Sequence, residues 1–246
     1  MTYRKARLDR PATCHVLRED PELAEGIPAG RRHRAEEACV ARKLTVRRGK
    51  WSDHLGGDDG IGLLVLEGLL LQRIGVGGRF GAELLGAGDL LRPADAADVE
   101  PRLGQATAWR ALELAQLAVL DGSVMKQLVR YPDVIERLVV RTIERSRRLV
   151  VNMAIVHHPR VDVRLQMTFW HLAHRWGRVD GSRILLPLRL THAVLADLIA
   201  ARRPTVSTAL SDLERRGVLR RVENGWLLAS EPPGALLEHA ATASGR

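Results

Sequence analysis

The spacing of apolar positions divides the chain into two regimes. From Cys39 onward, short apolar runs (Val40 to Val46, Ile61 to Leu66, Leu69 to Val76, Phe80 to Leu85 and Gly86 to Leu91) are separated by glycine every six or so residues. That pattern predicts an antiparallel β-domain, a roll or barrel, closed by strands over Thr107 to Leu112 and Leu117 to Asp121. Ahead of it, Leu17 to Ala41 predicts short helices, with Asp20 as a cap. After Gly122 the period lengthens. Val124 to Arg130 forms a short helical stretch that Tyr131-Pro132 ends, and Asp133 to Val156 reads as one long helix. Ile135, Leu138, Val139, Thr142, Leu149, Met153 and Val156 fall on one side of it, with a near-seven repeat at 135, 142, 149 and 156. An amphipathic helix packed on the β-domain would also explain the stripe, but the near-seven period favours a helix–helix seam between two copies of the chain, built from Ile135, Leu138, Thr142, Leu149, Met153 and Val156. Val161 to Trp176 predicts a further helix, Gly177 to Arg183 a turn, and Ile184 to Leu188 a strand.

The stretch LTHAVLADLIAARRPTVSTALSDLERRGVLRRVENGWLL, Leu190 to Leu228, is the most strongly patterned. Thr191 caps a helix whose apolar face is Val194, Leu195, Leu198 and Ile199, and the small Ala200 and Ala201 permit a close turn. A second helix starts near Arg202 and Arg203, with Pro204 in the first turn and Val206, Ala209, Leu210 and Leu213 as its buried stripe. Gly217 ends it, and Val218 to Leu228 predicts two short strands turned at Glu223-Asn224-Gly225. This is the pattern of a winged helix-turn-helix. Its second helix exposes Arg203, Thr205, Ser207, Thr208 and Ser211 beside Arg202, a set of donors that suits phosphate oxygens and major-groove base edges. Arg220 and Arg221 in the wing suit flanking phosphates.

Charge sharpens this expectation. The chain has 246 residues and a net charge of +9. From Arg160 to Ser230 there are twelve arginines against six carboxylates, so the basic excess sits with the helix-turn-helix. A polyanion partner fits that distribution, although RNA or an anionic membrane fits the charge alone equally well. Cys14 and Cys39 form no CxxC pair and cannot complete a four-ligand zinc or iron–sulfur site, so reduced thiols are expected. No apolar run reaches the length of a membrane span, and MTYRKARLDR lacks a signal-peptide core, which predicts a cytoplasmic protein with no membrane partner.

Other constellations carry less. His171 and His174 stand three apart near Trp170 and Trp176, but without a matching ligand set they read as helix surface and packing, and no metal is expected. Gly75, Gly77, Gly78 and Gly81 precede no Lys-Ser/Thr and mark β-turns rather than a phosphate loop. Ser207 and Ser211 lack a His and Asp at a nucleophile elbow, and Asp95 and Asp98 read as a solvated pair. No catalytic residues and no enzymatic activity are expected.

The order of β-roll, long helix and winged helix-turn-helix resembles that of the Crp–Fnr transcription regulators. The likeness is most specific in LTHAVLADLIAARRPTVSTALSDLERRGVL, with weaker landmarks in GDLL at Gly88 to Leu91, LAVLD at Leu117 to Asp121 and YPDVIERLVVRTIERS from Tyr131. The resemblance implies an α+β chain. Residues 14–131 would form a cyclic-nucleotide-binding-like β-roll, 132–158 a dimerisation helix, 159–230 the DNA-binding domain and 231–246 a flexible tail. It implies a homodimer on a pseudo-palindromic double-stranded DNA operator, with RNA polymerase as a further partner. It places operator contacts at Thr191, Arg203, Thr205, Ser207 and Thr208, with Arg203 and Thr208 reading bases. Pro204 and Thr208 stand where the best-known cyclic-AMP-responsive member has an acidic residue and a second arginine, which implies a different operator. Nucleotide-binding members carry a Gly-Glu pair and an Arg-Ala turn for the cyclic phosphate; here the stretch reads LLRPADAADVEPRLGQATAW, and Asp95, Asp98 and Glu100 would repel a phosphate from Arg92 and Arg102. The hydroxyl pair that meets the purine is replaced by Leu149 and Val150. A lost nucleotide site and no cofactor are therefore expected; His15, His33 and His54 are the positions from which a haem ligand could come. The alternative function is a non-specific nucleic-acid-binding or architectural module with a vestigial sensor.

Overall fold

A computed structural model describes residues 12–51, 60–92 and 106–229. The expected turn around His54, most of the Arg92 to Gln105 loop with its altered phosphate cassette, and the C-terminal tail lie outside these residues. The chain forms two compact units: residues up to Gly78 together with Glu83–Arg148, and Arg79–Ala82 together with residues from Leu149 onward.

In the first unit, strands β1 (Thr13–His15) and β2 (Val40–Val46) flank two helices, α1 (Val16–Glu19) and α2 (Ala29–Ala38), and a 3-10 turn at Pro21–Ala24. The remaining strands are β3 (Gly49–Trp51), β4 (Gly60–Glu67), β5 (Leu70–Val76), β6 (Arg79–Leu85), β7 (Leu90–Leu91), β8 (Ala106–Ala111) and β9 (Ala115–Asp121). They make two antiparallel sheets of order β1-β2-β9-β4-β7 and β3-β8-β5-β6. Leu63, Val65, Leu117 and Val119 of the first sheet meet Leu70, Leu85, Trp109 and Ala111 of the second inside the roll. The opposite face of the first sheet, with Leu64, Leu66, Ala118 and Leu120, packs on Leu17, Leu23, Ile27, Val124, Leu128, Val134 and Leu138. Burial on both faces explains why β4 and β9 read as continuous apolar runs instead of alternating. Gly62 is required where β4 bulges: its φ is +123°, and a Cβ there would lie 2.4 Å from the Leu91 carbonyl oxygen. Cys14 and Cys39 are both buried free thiols, and burial pushes Cys39 up to about 11.

Helix α3 (Gly122–Leu128) is capped by Asp121, which accepts from the Ser123 and Val124 amides at 3.0 Å each. Helix α4 (Pro132–His157) follows as one uninterrupted element of 26 residues. Three of its arginines, at i, i+4 and i+7, hold it to the roll. Arg141 pairs with Asp20 and with Glu22, the latter at 2.9 Å. Arg145 donates to both carboxylate oxygens of Glu83 at 2.9 and 2.8 Å and to the Leu90 carbonyl at 2.8 Å. Arg148 pairs at 2.8 Å with Asp89, which also accepts from the Gly86 amide at 2.9 Å. Burial alone would lower the Arg145 guanidinium; the Glu83 contacts outweigh it and leave the group raised. Asp20 thus makes no side-chain cap bond at the turn it precedes. Its carboxylate is committed to a helix far along the chain.

The second unit contains the end of α4, then α5 (Val161–Trp176), β10 (Arg178–Asp180), β11 (Arg183–Leu186), α6 (His192–Leu198), α7 (Arg203–Arg215), β12 (Leu219–Val222) and β13 (Gly225–Leu228). Its sheet has the order β10-β11-β13-β12. The expected turn at Gly177 to Arg183 therefore includes a short strand that hairpins onto β11. Leu165, Phe169, Leu195, Val206, Leu210, Leu213 and Trp226 are buried, and the Phe169 and Trp226 rings meet at 5.0 Å between centroids with their planes tilted by 56°.

Candidate nucleic-acid interface

The helix-turn-helix forms as its sequence predicts. Thr191 Oγ1 accepts from the Val194 amide at 3.3 Å, capping α6. The helix ends in a Schellman motif: the Ala201 amide donates to the Ala196 carbonyl at 2.9 Å and the Ala200 amide to that of Asp197 at 3.3 Å. Ala200 takes φ +50° there. Arg202 precedes α7 as its cap residue without a side-chain cap bond, and Pro204 sits in the first turn, where it costs no helical hydrogen bond. Val206, Ala209, Leu210 and Leu213 are buried, which turns Arg203, Thr205, Thr208 and Ser211 outward; Arg202 is also exposed, and Ser207 is half-buried at the margin. Arg220 and Arg221 stand exposed on β12.

The hydroxyls differ from expectation in one respect. Their donors point back along the helix: Ser207 to the Arg203 carbonyl (3.1 Å), Thr208 to Pro204 (3.3 Å) and Ser211 to Ser207 (3.1 Å). With the hydrogens of these three hydroxyls spent inside the protein, outward donation is left to the other groups of the set, the arginines foremost. Sequence reasoning also missed His192, whose Nδ1 lies 2.9 Å from Ser207 Oγ, and Arg189, which donates to Asn224 Oδ1 at 2.8 Å. The hairpin turn itself differs from the Asn-Gly expectation. Neither Glu223 nor Asn224 has a positive φ; Gly225 instead adopts +149°, and only glycine fits there, since a Cβ would lie 2.0 Å from the Leu186 carbonyl oxygen.

The residues expected to form a seam divide between environments. Leu138 is 4% exposed in the first unit's core, and Ile135 packs against the same core. Thr142 is exposed and donates to the Leu138 carbonyl at 2.9 Å. Leu149 and Val156 are half-buried, and Met153 is exposed. The apolar side chains that α4 leaves open are Met153, from the expected series, and Val139, Ile143 and Val150, each one position on from an expected residue, flanked by Val140 and Val151. Among the histidines considered, His15 bonds through Nδ1 to the Glu36 carbonyl at 3.0 Å and His33 is exposed, while His54 lies outside the described residues.

Residues 163–231 match the Crp-like helix-turn-helix domain family. The chain is 27% identical over 137 residues to the CRP-like cAMP-activated global transcriptional regulator of Mycobacterium tuberculosis, covering 56% of this chain and 60% of that protein. It thus spans about three fifths of the curated relatives it matches. In fold it is similar to a CooA mutant from Carboxydothermus hydrogenoformans, with a TM-score of 0.66 at 19% identity over 95% of this chain and 98% of that one. It is also similar to a cyclic nucleotide-binding domain containing protein from Listeria monocytogenes EGD-e, with a TM-score of 0.62 at 16% identity over 77% and 89% of the two chains. The matched segment is thus a Crp-like helix-turn-helix domain, and the chain shares with these structures the order of β-roll, long helix and helix-turn-helix. No helix among the described residues is long and apolar enough to cross a membrane.

Proposed function

We propose that this protein is a sequence-specific DNA-binding transcription regulator that works as a homodimer, has no catalytic activity and does not respond to cyclic AMP. The observation that carries the reading is the outward face of α7, where Arg203, Thr205, Thr208 and Ser211 stand clear of a stripe buried in the domain core. Arg203, in the first turn of the helix, reads a base, and Arg220 and Arg221 on the wing neutralise phosphates. The open stripe on α4, Val139, Ile143, Val150 and Met153, supplies a three-four seam for a second copy. Two-fold symmetry then calls for half-sites about one helical turn apart.

Loss of the nucleotide response is supported by the residues that stand where the resemblance puts the nucleotide contacts. Leu149 and Val150 bring no hydroxyl to a purine, and Asp89 is taken up by Arg148 and the Gly86 amide. Selection of bound duplexes from a random pool, with and without cyclic AMP, should recover one palindrome in both arms. A palindrome that needs the nucleotide would overturn the sensor reading, and no enriched sequence would favour a non-specific module. On the recovered operator, Arg203→Ala should cost about 1–3 kcal/mol and relax one position, whereas Arg221→Ala should weaken all duplexes about equally.

A further inference from the structure

The hydrogen bond between His192 and Ser207 joins the two helices of the motif and has consequences for what α7 can read. Ser207 Oγ lies 2.9 Å from His192 Nδ1 and 3.1 Å from the Arg203 carbonyl oxygen. A hydroxyl has one hydrogen and two lone pairs, and a carbonyl oxygen only accepts. When Nδ1 carries a hydrogen, in the neutral or the cationic ring, Ser207 accepts from the imidazole and donates to Arg203. When Nδ1 is bare, Ser207 donates to the imidazole. Every protonation state of the ring therefore spends the Ser207 hydrogen inside the protein. Thr208 and Ser211 also donate to their i−4 carbonyls, but Ser207 has a second partner, on another helix, that holds its hydroxyl in place.

We propose that His192 is a positioning residue that sets base specificity by holding in one orientation the Ser207 hydroxyl, whose hydrogen is spent inside the protein, so that the operator presents an exocyclic amine, adenine N6 or cytosine N4, to Ser207. This rests on the reading of α7 as the recognition helix. In the major groove adenine and cytosine offer N–H donors at the edge where thymine and guanine offer O4 and O6. An acceptor-only hydroxyl facing a carbonyl leaves two desolvated acceptors without hydrogens, and facing an amine it completes a bond. At this step Ser207 therefore fixes which strand carries the amine-bearing base.

The test is selection from randomised half-sites with the full chain, comparing the unaltered protein with Ser207→Ala, His192→Phe and His192→Gln, each checked by thermal melting. The unaltered protein should prefer an amine-bearing base at one position of each half-site by about fivefold, the size of one hydrogen bond. S207A and H192F should flatten that position and leave the others unchanged. H192Q, whose amide N–H replaces the ring donor, should restore it. If H192F does not fold, the contrast between S207A and H192Q decides. An operator recovered with the same preference in S207A as in the unaltered protein overturns the proposal and leaves the recognition-helix reading standing; failure of the unaltered protein to enrich any sequence overturns both.

Discussion

Ala200 shows how a single residue can be right for a turn and still strained in it. It occupies the left-handed position that ends α6, at φ +50°, the one described residue other than glycine with a positive φ. A Cβ in that region costs about 1–2 kcal/mol, which glycine avoids at the expense of greater freedom in the unfolded chain. Ala200→Gly should therefore stabilise the protein by about 0.5–1 kcal/mol, raising Tm by about 1–4 °C in a melting experiment. The turn was legible because small residues follow an amphipathic run, and Thr191 was legible as a cap for the same local reason. Asp20 was not. It precedes a proline as a cap residue should, yet its partner, Arg141, lies on a helix far along the chain, and local pattern carries no signal for such a pair.

At the level of the element, α4 presents three faces, and hydrophobic periodicity alone merges two of them. Val134 and Leu138 enter the core, Arg141, Arg145 and Arg148 reach carboxylates of the roll, and Val139, Ile143, Val150 and Met153 stay open. A seven-residue count places Ile135 and Leu149 in one series although only contact with the rest of the first unit distinguishes inward from outward. The arginine row was visible in the sequence, but its carboxylate partners come from separate strands and turns. Removing one partner of a pair with little exposure strands the other charge, so Glu83→Ala should cost about 2–3 kcal/mol in denaturant unfolding, somewhat below the cost for full burial. Helix α5 carries a pH-dependent contact in its first turn. The Arg160 hydrogen bond holds the Asp162 carboxyl below its usual 3.8. Its folded-state pKa being depressed, the pair stabilises above the unfolded value and that contribution is lost as pH falls through the folded one. The Tm difference between Asp162→Asn and the unaltered protein should thus be constant near neutrality and close below pH 3.8; a difference that persists in acid would assign the effect to packing.

For the whole molecule, the boundary between the two compact units falls within α4, and the dimer proposed on its open stripe ties assembly to DNA affinity. Val150 is 65% exposed at the centre of the open stripe, with Ile143 and Met153 seven before and three after it. A carboxylate there leaves both cores untouched, but in the proposed dimer it would lie in a desolvated contact between the two copies. Val150→Glu should therefore melt like the unaltered protein at low concentration, yet sediment as a monomer where the unaltered chain sediments as a dimer. Each monomer keeps a complete α7 and wing, so binding to an isolated half-site should survive. Affinity for the full palindrome should fall by more than about tenfold, because the second half-site no longer benefits from a tethered partner. A V150E protein that stays dimeric would move the interface off this stripe, and one that is monomeric but binds the palindrome undiminished would separate DNA recognition from dimerisation altogether.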